Sequence, residues 1–198
     1  MIVNMKIIGI TGNSGSGKST IAKIIKEECN GIIIDADKIA KNMTNTSTEY
    51  LKEIAKVFGI NVINDNQLNR QKMADIIFND KMQKEKLDKI TFKYVVDEIK
   101  MQVDLAKEKY NYIILDVPLL FESKLNELCN YTVGVISDKK DKINRICARD
   151  NISKEKATQR IDSQPDNKFY INNCDYIINN SRIEEITAKV HEMLKKLQ

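Results

Sequence analysis

The sequence GNSGSGKS, at residues Gly12–Ser19, matches in full the phosphate-binding pattern G-x-x-x-x-G-K-[ST]. It comes after an apolar run from Lys6 to Ile10 that predicts a buried strand, and before a helical pattern of apolar residues that begins at Ile21. A loop between a strand and a helix start directs backbone N–H groups and the positive end of the helix dipole to one point. That arrangement suits a polyphosphate, so we predict that an ATP-type nucleotide binds here.

The residues of this loop have distinct predicted roles. Its glycines let the backbone approach the phosphates closely, because no Cβ stands in the way. Lys18 can reach the β and γ phosphates, and the hydroxyl of Ser19 can ligate Mg²⁺. The predicted ATP-binding residues are Gly12, Asn13, Ser14, Gly15, Ser16, Gly17, Lys18, Ser19 and Thr20.

A β-branched run from Gly31 to Asp37 ends in two carboxylates and completes a βαβ unit with the loop. Ligands of such sheets bind at the carboxyl ends of the strands. Asp35 and Asp37 are two residues apart on a chain that we predict to be extended, so their side chains should share one side. We therefore expect both to face the phosphate crevice. The alternative role for Asp37 is to cap the helix that follows.

A later apolar run, Tyr112–Asp116, also ends in an acid, and Pro118 after it cannot extend a sheet ladder. An Asp in this position is the expected partner of a phosphate loop, because it can hold Mg²⁺ directly or through water. Runs at 131–136 and 175–179 predict two more strands. The predicted fold class is α/β, a three-layer P-loop NTPase fold with a five-stranded parallel sheet, a helical substrate-binding insertion and a lid.

The stretch between residues 38 and 109 contains no evident strand and is longer than a simple crossover needs. Its apolar spacing predicts three helices, which we interpret as an insertion that holds a second substrate. The residues at helical spacing are Leu51, Ile54, Ala55 and Phe58; Met73, Ile76 and Ile77; and Leu87, Ile90, Tyr94, Val95, Glu98, Met101 and Leu105. We divide the single domain into a core (1–37, 110–138 and 170–198), the insertion (38–109) and a lid (139–169).

The predicted lid is the basic part of the chain. Between Lys139 and Lys168, nine Lys and Arg residues stand against five Asp and Glu, and this surplus equals the whole net charge of +4. Arginine forks suit the charge that spreads over a transferring phosphoryl group, and a hinged lid would exclude water. The candidates are Arg145, Arg149 and Arg160, with Gln164 one turn after Arg160 and Ser153 as a helix cap. A solvated basic face is the alternative, and Lys139, Lys140 and Lys142 are expected to be solvated.

Composition limits the chemistry further. The four cysteines (Cys29, Cys129, Cys147 and Cys174) form no C-x-x-C pair, so we expect reduced thiols. No apolar run approaches the roughly 18 residues of a membrane span, and we expect a cytoplasmic protein with no membrane association. His191 is the only histidine and lies beside the apolar stripe of the last helix, which leaves carboxylates for proton removal. A monomer is compatible with these features.

These features favour a small-molecule kinase that phosphorylates a hydroxyl group. A water-excluding lid and an acceptor-facing Asp would have no use in a GTPase, and no N-K-x-D element is present. Another nucleoside or nucleotide kinase is the first alternative. The second is a non-catalytic nucleotide-binding regulator whose basic segment binds RNA or a partner. Its basic segment lacks interleaved aromatic residues, and we therefore expect no nucleic-acid partner.

The motifs, in their order along the chain, resemble those of the dephospho-CoA kinase family over essentially the whole sequence. They are TGNSGSGKST (11–20), DAD (35–37), DVPLLFE (116–122), Arg145-x-x-x-Arg149-Asp150, Arg160-Ile161-x-x-Gln164 and Asp175-x-Ile177-Ile178-Asn179. The resemblance implies a P-loop kinase core with a CoA-binding insertion. It also implies transfer of the ATP γ-phosphoryl group to the ribose 3′-hydroxyl of dephospho-CoA, the last step of coenzyme A synthesis.

The site residues that follow from the motifs and the resemblance fall into four groups. The catalytic group is Asp37, Lys18, Arg145 and Arg149. Arg145 and Asn179 join the loop in binding ATP. The acceptor would contact Asp35, Asp37, Leu119, Phe121, Arg160 and Gln164. Ser19 and Asp116 would hold Mg²⁺.

The chain departs from the family pattern at three places. Asn13-Ser14 stands where Gly-Ile is usual, and backbone contacts to phosphate should tolerate that change. Phe92-Lys93 replaces a usual His-Pro in the insertion, so no role is carried to those positions. Cys174 replaces a usual Ala. A capping box at 181–184 is also predicted to start the last helix.

Overall fold

The computed structural model describes residues 5–78, 80–181 and 185–197. The strands are β1 (Lys6–Thr11), β2 (Ile32–Asp35), β3 (Ile63–Asn64), β4 (Gln67–Leu68), β5 (Tyr112–Asp116), β6 (Tyr131–Ile136) and β7 (Tyr176–Asn179). The helices are α1 (Lys18–Cys29), α2 (Ala36–Thr46), α3 (Thr48–Phe58), α4 (Arg70–Ile77), α5 (Lys81–Lys107), α6 (Lys139–Asp150), α7 (Lys154–Asp162), α8 (Asn167–Asn173) and α9 (Ile186–Leu197). Short 3₁₀ turns occupy Ile60–Val62 and Leu125–Leu128. None of the described helices is both long and apolar enough to cross a bilayer.

The main sheet has five strands in the order β2-β5-β1-β6-β7. β1 pairs in parallel with both β5 and β6, and β6 pairs in parallel with β7. The register places Ile10 beside Asp116, so β1 and β5 end together at one edge of the sheet. Helices cover both faces of such sheets, which explains why the strands appear in sequence as continuous apolar runs. The predicted five-stranded parallel sheet is confirmed.

The core of the sheet is packed with apolar side chains from the central strands, α1 and α9. Ile21, Ala22 and Ile25 of α1 are fully buried, as the helical spacing predicts. From α9 the cluster includes Val190, Met193 and Leu197. The capping box predicted at 181–184 lies mostly outside the described part of the chain, which stops at Ser181 and resumes at 185.

Asp35–Gln102 forms a compact unit of its own within the chain. Four helices build it, α2, α3, α4 and most of α5, and not the predicted three. The prediction that it contains no strand is wrong, because β3 and β4 pair as an antiparallel hairpin. Asp65 and Asn66 connect them with φ of 48° and 60°, the left-handed conformation that Asp and Asn tolerate in tight turns. Strands of two residues are too short to show a period in sequence.

The buried face of α5 also differs from the predicted stripe. Met101 and Leu105 are 51% and 63% exposed, whereas Ile99 and Val103 are almost completely buried. The spacing of four residues is the same in both pairs, so periodicity alone could not choose between the two faces. Only the packing of the folded chain distinguishes them.

Residues 139–169 fold around a small apolar cluster between α6 and α7. Ile146, Ala157 and Ile161 are buried there. Ser153 caps α7, since its Oγ accepts from the amide of Lys156 at 3.4 Å, as predicted. The basic segment is therefore an ordered helical substructure.

Candidate active site

The backbone of the phosphate-binding loop has positive φ angles that favour glycine, as at Gly12 and Gly17. Gly12 and Gly17 have φ of 147° and 95°. A Cβ on Gly12 would lie 2.2 Å from the carbonyl oxygen of Val135, and one on Gly17 would lie 1.9 Å from Nδ2 of Asn180. At Gly12 the φ angle and a nearby backbone oxygen both exclude a side chain, whereas at Gly17 a side chain would be strained by the φ angle and would displace the Asn180 amide. Helix α1 begins directly after Gly17, so its amino terminus completes the loop.

A hydroxyl and a carboxylate meet at the end of this loop. Ser19 donates from Oγ to Oδ2 of Asp116 at 2.7 Å, across 97 residues of sequence. Asp116 is only 5% exposed, at the end of β5. Hydroxyl and carboxylate oxygens are the hard ligands that Mg²⁺ prefers, so the donor set fits the predicted metal.

The ammonium group of Lys18 lies against the loop that carries it. Its Nζ donates to the carbonyl oxygens of Gly12 at 2.8 Å and Asn13 at 3.3 Å. This position keeps a positive charge beside the loop amides, where the sequence predicts the triphosphate.

Arg145 is bonded to the backbone of the same loop. Nη1 donates to the carbonyl oxygens of Gly15 at 3.2 Å and Ser16 at 3.4 Å, and to Oγ of Ser137 at 3.3 Å; Nη2 donates to the carbonyl oxygen of Asn180 at 2.7 Å. A trans peptide directs its C=O and N–H to opposite sides. By holding these carbonyls, Arg145 supports the orientation of the following amides. The sequence predicted contact with the phosphates and did not anticipate this bonding.

Asn180, which sequence reasoning missed, contacts the loop, whereas the predicted ATP ligand Asn179 does not. Asn180 is 4% exposed and donates from Nδ2 to the carbonyl oxygen of Ser16 at 2.7 Å. Asn179 is exposed, and its Oδ1 accepts from the amide of Ser181 at 3.0 Å. Successive residues of a strand end face opposite sides, so only one of the two can reach the loop. Two isoleucines precede two asparagines here, so the sequence held no signal that could have decided between them.

Two predicted lid arginines converge on one aspartate. Arg149 donates from Nε and Nη2 to the two carboxylate oxygens of Asp150, at 2.7 and 3.0 Å. Arg160 donates to Oδ2 of the same residue. The hydrogen bonds from Arg149, with a further contribution from Arg160, lower the pKa of Asp150 to about 2. The structure therefore groups both arginines at the end of α6.

The side chain of Gln164, a predicted substrate residue, contacts the phosphate-binding loop. Its Oε1 accepts from the amide of Ser14 at 2.9 Å.

Lys142, which the sequence predicts to be solvated, is instead 5% exposed. That prediction is wrong because the ammonium group has amide partners in the interior.

The remaining predicted acceptor residues after β5 have contrasting surroundings. Leu119 is 51% exposed, and Leu120 beside it is fully buried. Phe121 packs edge to face against Phe169, with ring centroids 5.8 Å apart. Leu119 is therefore the accessible apolar side chain of this turn.

Asp35 and Asp37 do not share the predicted extended geometry. Asp35 caps α2, because its Oδ1 accepts from the amide of Lys38 at 3.0 Å. Asp37 already lies in the first turn of that helix and is exposed. The capping role considered for Asp37 belongs to Asp35. Within the described part of the chain, no hydrogen bond or ion pair engages the carboxylate of Asp37.

The departure at Phe92-Lys93 lies within α5. Nζ of Lys93 is 3.8 Å from Oε2 of Glu53 and 5.0 Å from the ring centroid of Tyr94. These are surface contacts of the compact unit, and they assign no catalytic role to either position.

Solved structures share this fold over nearly the whole chain. A protein from Thermus thermophilus superposes with a TM-score of 0.79 at 23% identity, covering 98% of this chain and 99% of that one. A dephospho-CoA kinase from Campylobacter jejuni has a TM-score of 0.65 at 22% identity, covering 98% of each chain. A shikimate kinase from Acinetobacter baumannii, in complex with shikimate, has a TM-score of 0.59 at 13% identity, covering 98% and 93%. The fold is that of P-loop kinases.

Sequence relatives define the family more closely. A dephospho-CoA kinase from Fusobacterium nucleatum subsp. nucleatum is 37% identical over 198 residues, covering 98% of this chain and 100% of the relative. One from Listeria monocytogenes serotype 4b is 37% identical over 191 residues, covering 93% and 92%. The family model described as dephospho-CoA kinase matches residues 6–185. The chain belongs to the dephospho-CoA kinase family.

Proposed function

We propose that this chain transfers the γ-phosphoryl group of ATP to the ribose 3′-hydroxyl of dephospho-CoA, producing coenzyme A and ADP. The observation that carries the proposal is the bonded pair Ser19–Asp116 at the end of the phosphate loop, in a chain of this family. Together with Lys18, this pair supplies the charges that a phosphoryl donor needs.

The loop holds the nucleotide. Its backbone amides and the amino terminus of α1 bind the phosphates, while Lys18 turns from the loop carbonyls to the β and γ phosphates. Arg145 and Asn180 keep the loop peptides in place through the carbonyl oxygens of Gly15 and Ser16. These interactions orient the terminal phosphate for attack.

Ser19 and Asp116 would hold the divalent ion that P-loop kinases use with ATP. When bound, Mg²⁺ neutralises charge on the β and γ phosphates. Asp116 is nearly buried, and its bond to Ser19 fixes the orientation of both oxygens. The two side chains are thus arranged in advance for the ion.

Asp37 would act on the acceptor. Its exposed carboxylate accepts the proton of the 3′-hydroxyl as the new oxygen–phosphorus bond forms and the bond between the γ-phosphorus and the bridging oxygen breaks, releasing ADP. Asp35 supports it by fixing the first turn of α2. Arg145, Arg149 and Arg160 would neutralise the transferring group, and the insertion would bind the acceptor, with contacts from Leu119, Phe121 and Gln164.

The decisive experiment is an acceptor panel. ADP release is measured with ATP, Mg²⁺ and each of dephospho-CoA, AMP, UMP, uridine and adenosine. We expect turnover with dephospho-CoA at a kcat/KM at least about 10³ above every other acceptor, because binding energy from the rest of the molecule lowers the barrier. Preference for another acceptor would identify a different small-molecule kinase, and tight nucleotide binding without turnover on any acceptor would refute kinase activity.

A further inference from the structure

Two neighbouring residues of the phosphate-binding loop, Asn13 and Ser14, contact a segment far along the chain. Asn13 donates from Nδ2 to the carbonyl oxygen of Pro165 at 2.7 Å. Gln164 accepts from the amide of Ser14 at 2.9 Å and donates from Nε2 to Oγ of Ser14 at 3.2 Å. Gln164 and Pro165 connect α7 to α8, so they directly follow the helices that carry the three arginines.

A buried ammonium group takes part in the same contact. Lys142, on α6, is 5% exposed, and its Nζ donates to Oδ1 of Asn13 at 3.4 Å and to Oδ1 of Asn167 at 3.1 Å. Burial lowers the pKa of Lys142, and the carboxylate of Asp138 opposes that effect. Both ends of the Asn13 amide are therefore used, the oxygen by Lys142 and the nitrogen by the Pro165 carbonyl.

A glycine at position 13 and an isoleucine at position 14 could not form this network. Glycine has no side chain and isoleucine has no polar atom, so only the backbone amide of residue 14 would remain to bond Gln164. A buried Lys142 without the Asn13 oxygen would lose an acceptor in a site that water hardly reaches. Asn13, Ser14 and Lys142 thus act together in this chain.

We propose that Asn13 and Lys142 are positioning residues that hold the phosphate-binding loop in its ATP-binding conformation by fastening it to the segment Gln164–Asn167. The inference rests on the nucleotide half of the proposed function and does not depend on the acceptor. A loop that is already held in its binding conformation loses less freedom when the ligand arrives. Because the same bonds link α6 to the loop, we expect the two to move together when nucleotide binds.

Equilibrium binding of ATP to the full chain tests this positioning role of Asn13 and Lys142. Asn13→Ala and Lys142→Met should each raise the Kd for ATP on the order of tenfold, from the loss of hydrogen bonds between buried groups. The double variant should lose less affinity than the sum of the two single losses, because both changes break the shared Asn13–Lys142 contact, although each also removes a bond of its own. Lys140→Met is the matched control, since Lys140 is an exposed lysine on the same helix, and it should keep the wild-type Kd.

Kinetics separates positioning from a purely structural role. Positioning raises KM for ATP and leaves KM for dephospho-CoA unchanged, whereas a structural defect lowers the folded fraction and apparent kcat alone. If Lys142→Met does not fold, Asn167→Ala takes its place, because Asn167 is only half-buried, its Oδ1 accepts from Lys142, and its loss should also raise the Kd for ATP. Wild-type Kd in the folded variants, or additive losses in the double variant, would overturn the proposal. ATP binding without dephospho-CoA turnover in the wild type would refute the proposed function and leave this test intact.

Discussion

Two strands of the sheet end in an aspartate, and the chain uses the two carboxylates differently. Asp116, the last residue of β5, is nearly buried and accepts a hydrogen bond from Ser19, which is 97 residues away. Asp35, the last residue of β2, accepts from the amide of Lys38 and caps α2. Because α2 begins directly after Asp35, the Asp35 carboxylate caps that helix. No helix begins directly after Asp116, where Val117 and Pro118 follow, so its carboxylate bonds a residue that is distant in sequence. The surroundings of a strand end, more than its sequence, set the role of the acid.

The largest effect should come from Asp116→Asn. The amide keeps the shape of the side chain but removes the negative charge that would hold Mg²⁺. We expect kcat/KM for ATP to fall on the order of 10³, with a higher Mg²⁺ concentration needed for half-maximal rate. Initial rates across a Mg²⁺ titration measure both quantities. An unchanged Mg²⁺ dependence would remove Asp116 from the metal site.

Asp37→Asn should have a smaller effect of a different kind. We expect kcat to fall on the order of 10² because the proton acceptor is lost, while KM for ATP and the Mg²⁺ dependence stay as in the wild type. Steady-state kinetics under the same titration provides the comparison with Asp116→Asn. A variant with near wild-type kcat would show that another group accepts the proton.

The stability of Asp35 variants tests whether this residue serves as the cap of α2. Asp35→Ala removes the cap of α2 and should lower the free energy of unfolding by about 1 kcal/mol. Asp35→Asn, which caps equally well, should keep it. Urea denaturation of the three proteins measures the difference. Equal losses in both variants would mean that the charge, and not the cap, stabilises this position.

The smallest effect concerns Asp150, an aspartate held by arginines. Its pKa is lowered to about 2, so its pairing stabilises the fold above the unfolded pKa of about 4 and this contribution is lost as the pH falls toward 2. Thermal melts between pH 2 and 6 should show Asp150→Asn slightly less stable than the wild type at pH 6, with the gap closing below pH 4. A gap that does not depend on pH would contradict the pairing with Arg149.

Some features of the candidate site could be predicted from the sequence, and others could not. Ser19 and Asp116 meet in the structure, because a complete loop pattern and a strand-terminal acid determine backbone positions. Their side-chain partners were harder to predict. The bonds of Arg145 to loop carbonyls, and the burial of Lys142, depend on contacts made by residues more than a hundred positions apart.

By itself the sequence determined the phosphate loop, the five strands and the buried faces of α1 and α9, since these follow from local conformational preference and from the period of apolar residues. Only the tertiary structure decided that Asn180 and not Asn179 meets the loop, that Asp35 and not Asp37 caps α2, and that Met101 is exposed while Ile99 is buried. In each case two neighbouring residues or two faces carry the same local signal. The choice between them is made by packing against chain that is distant in sequence, which no local pattern contains.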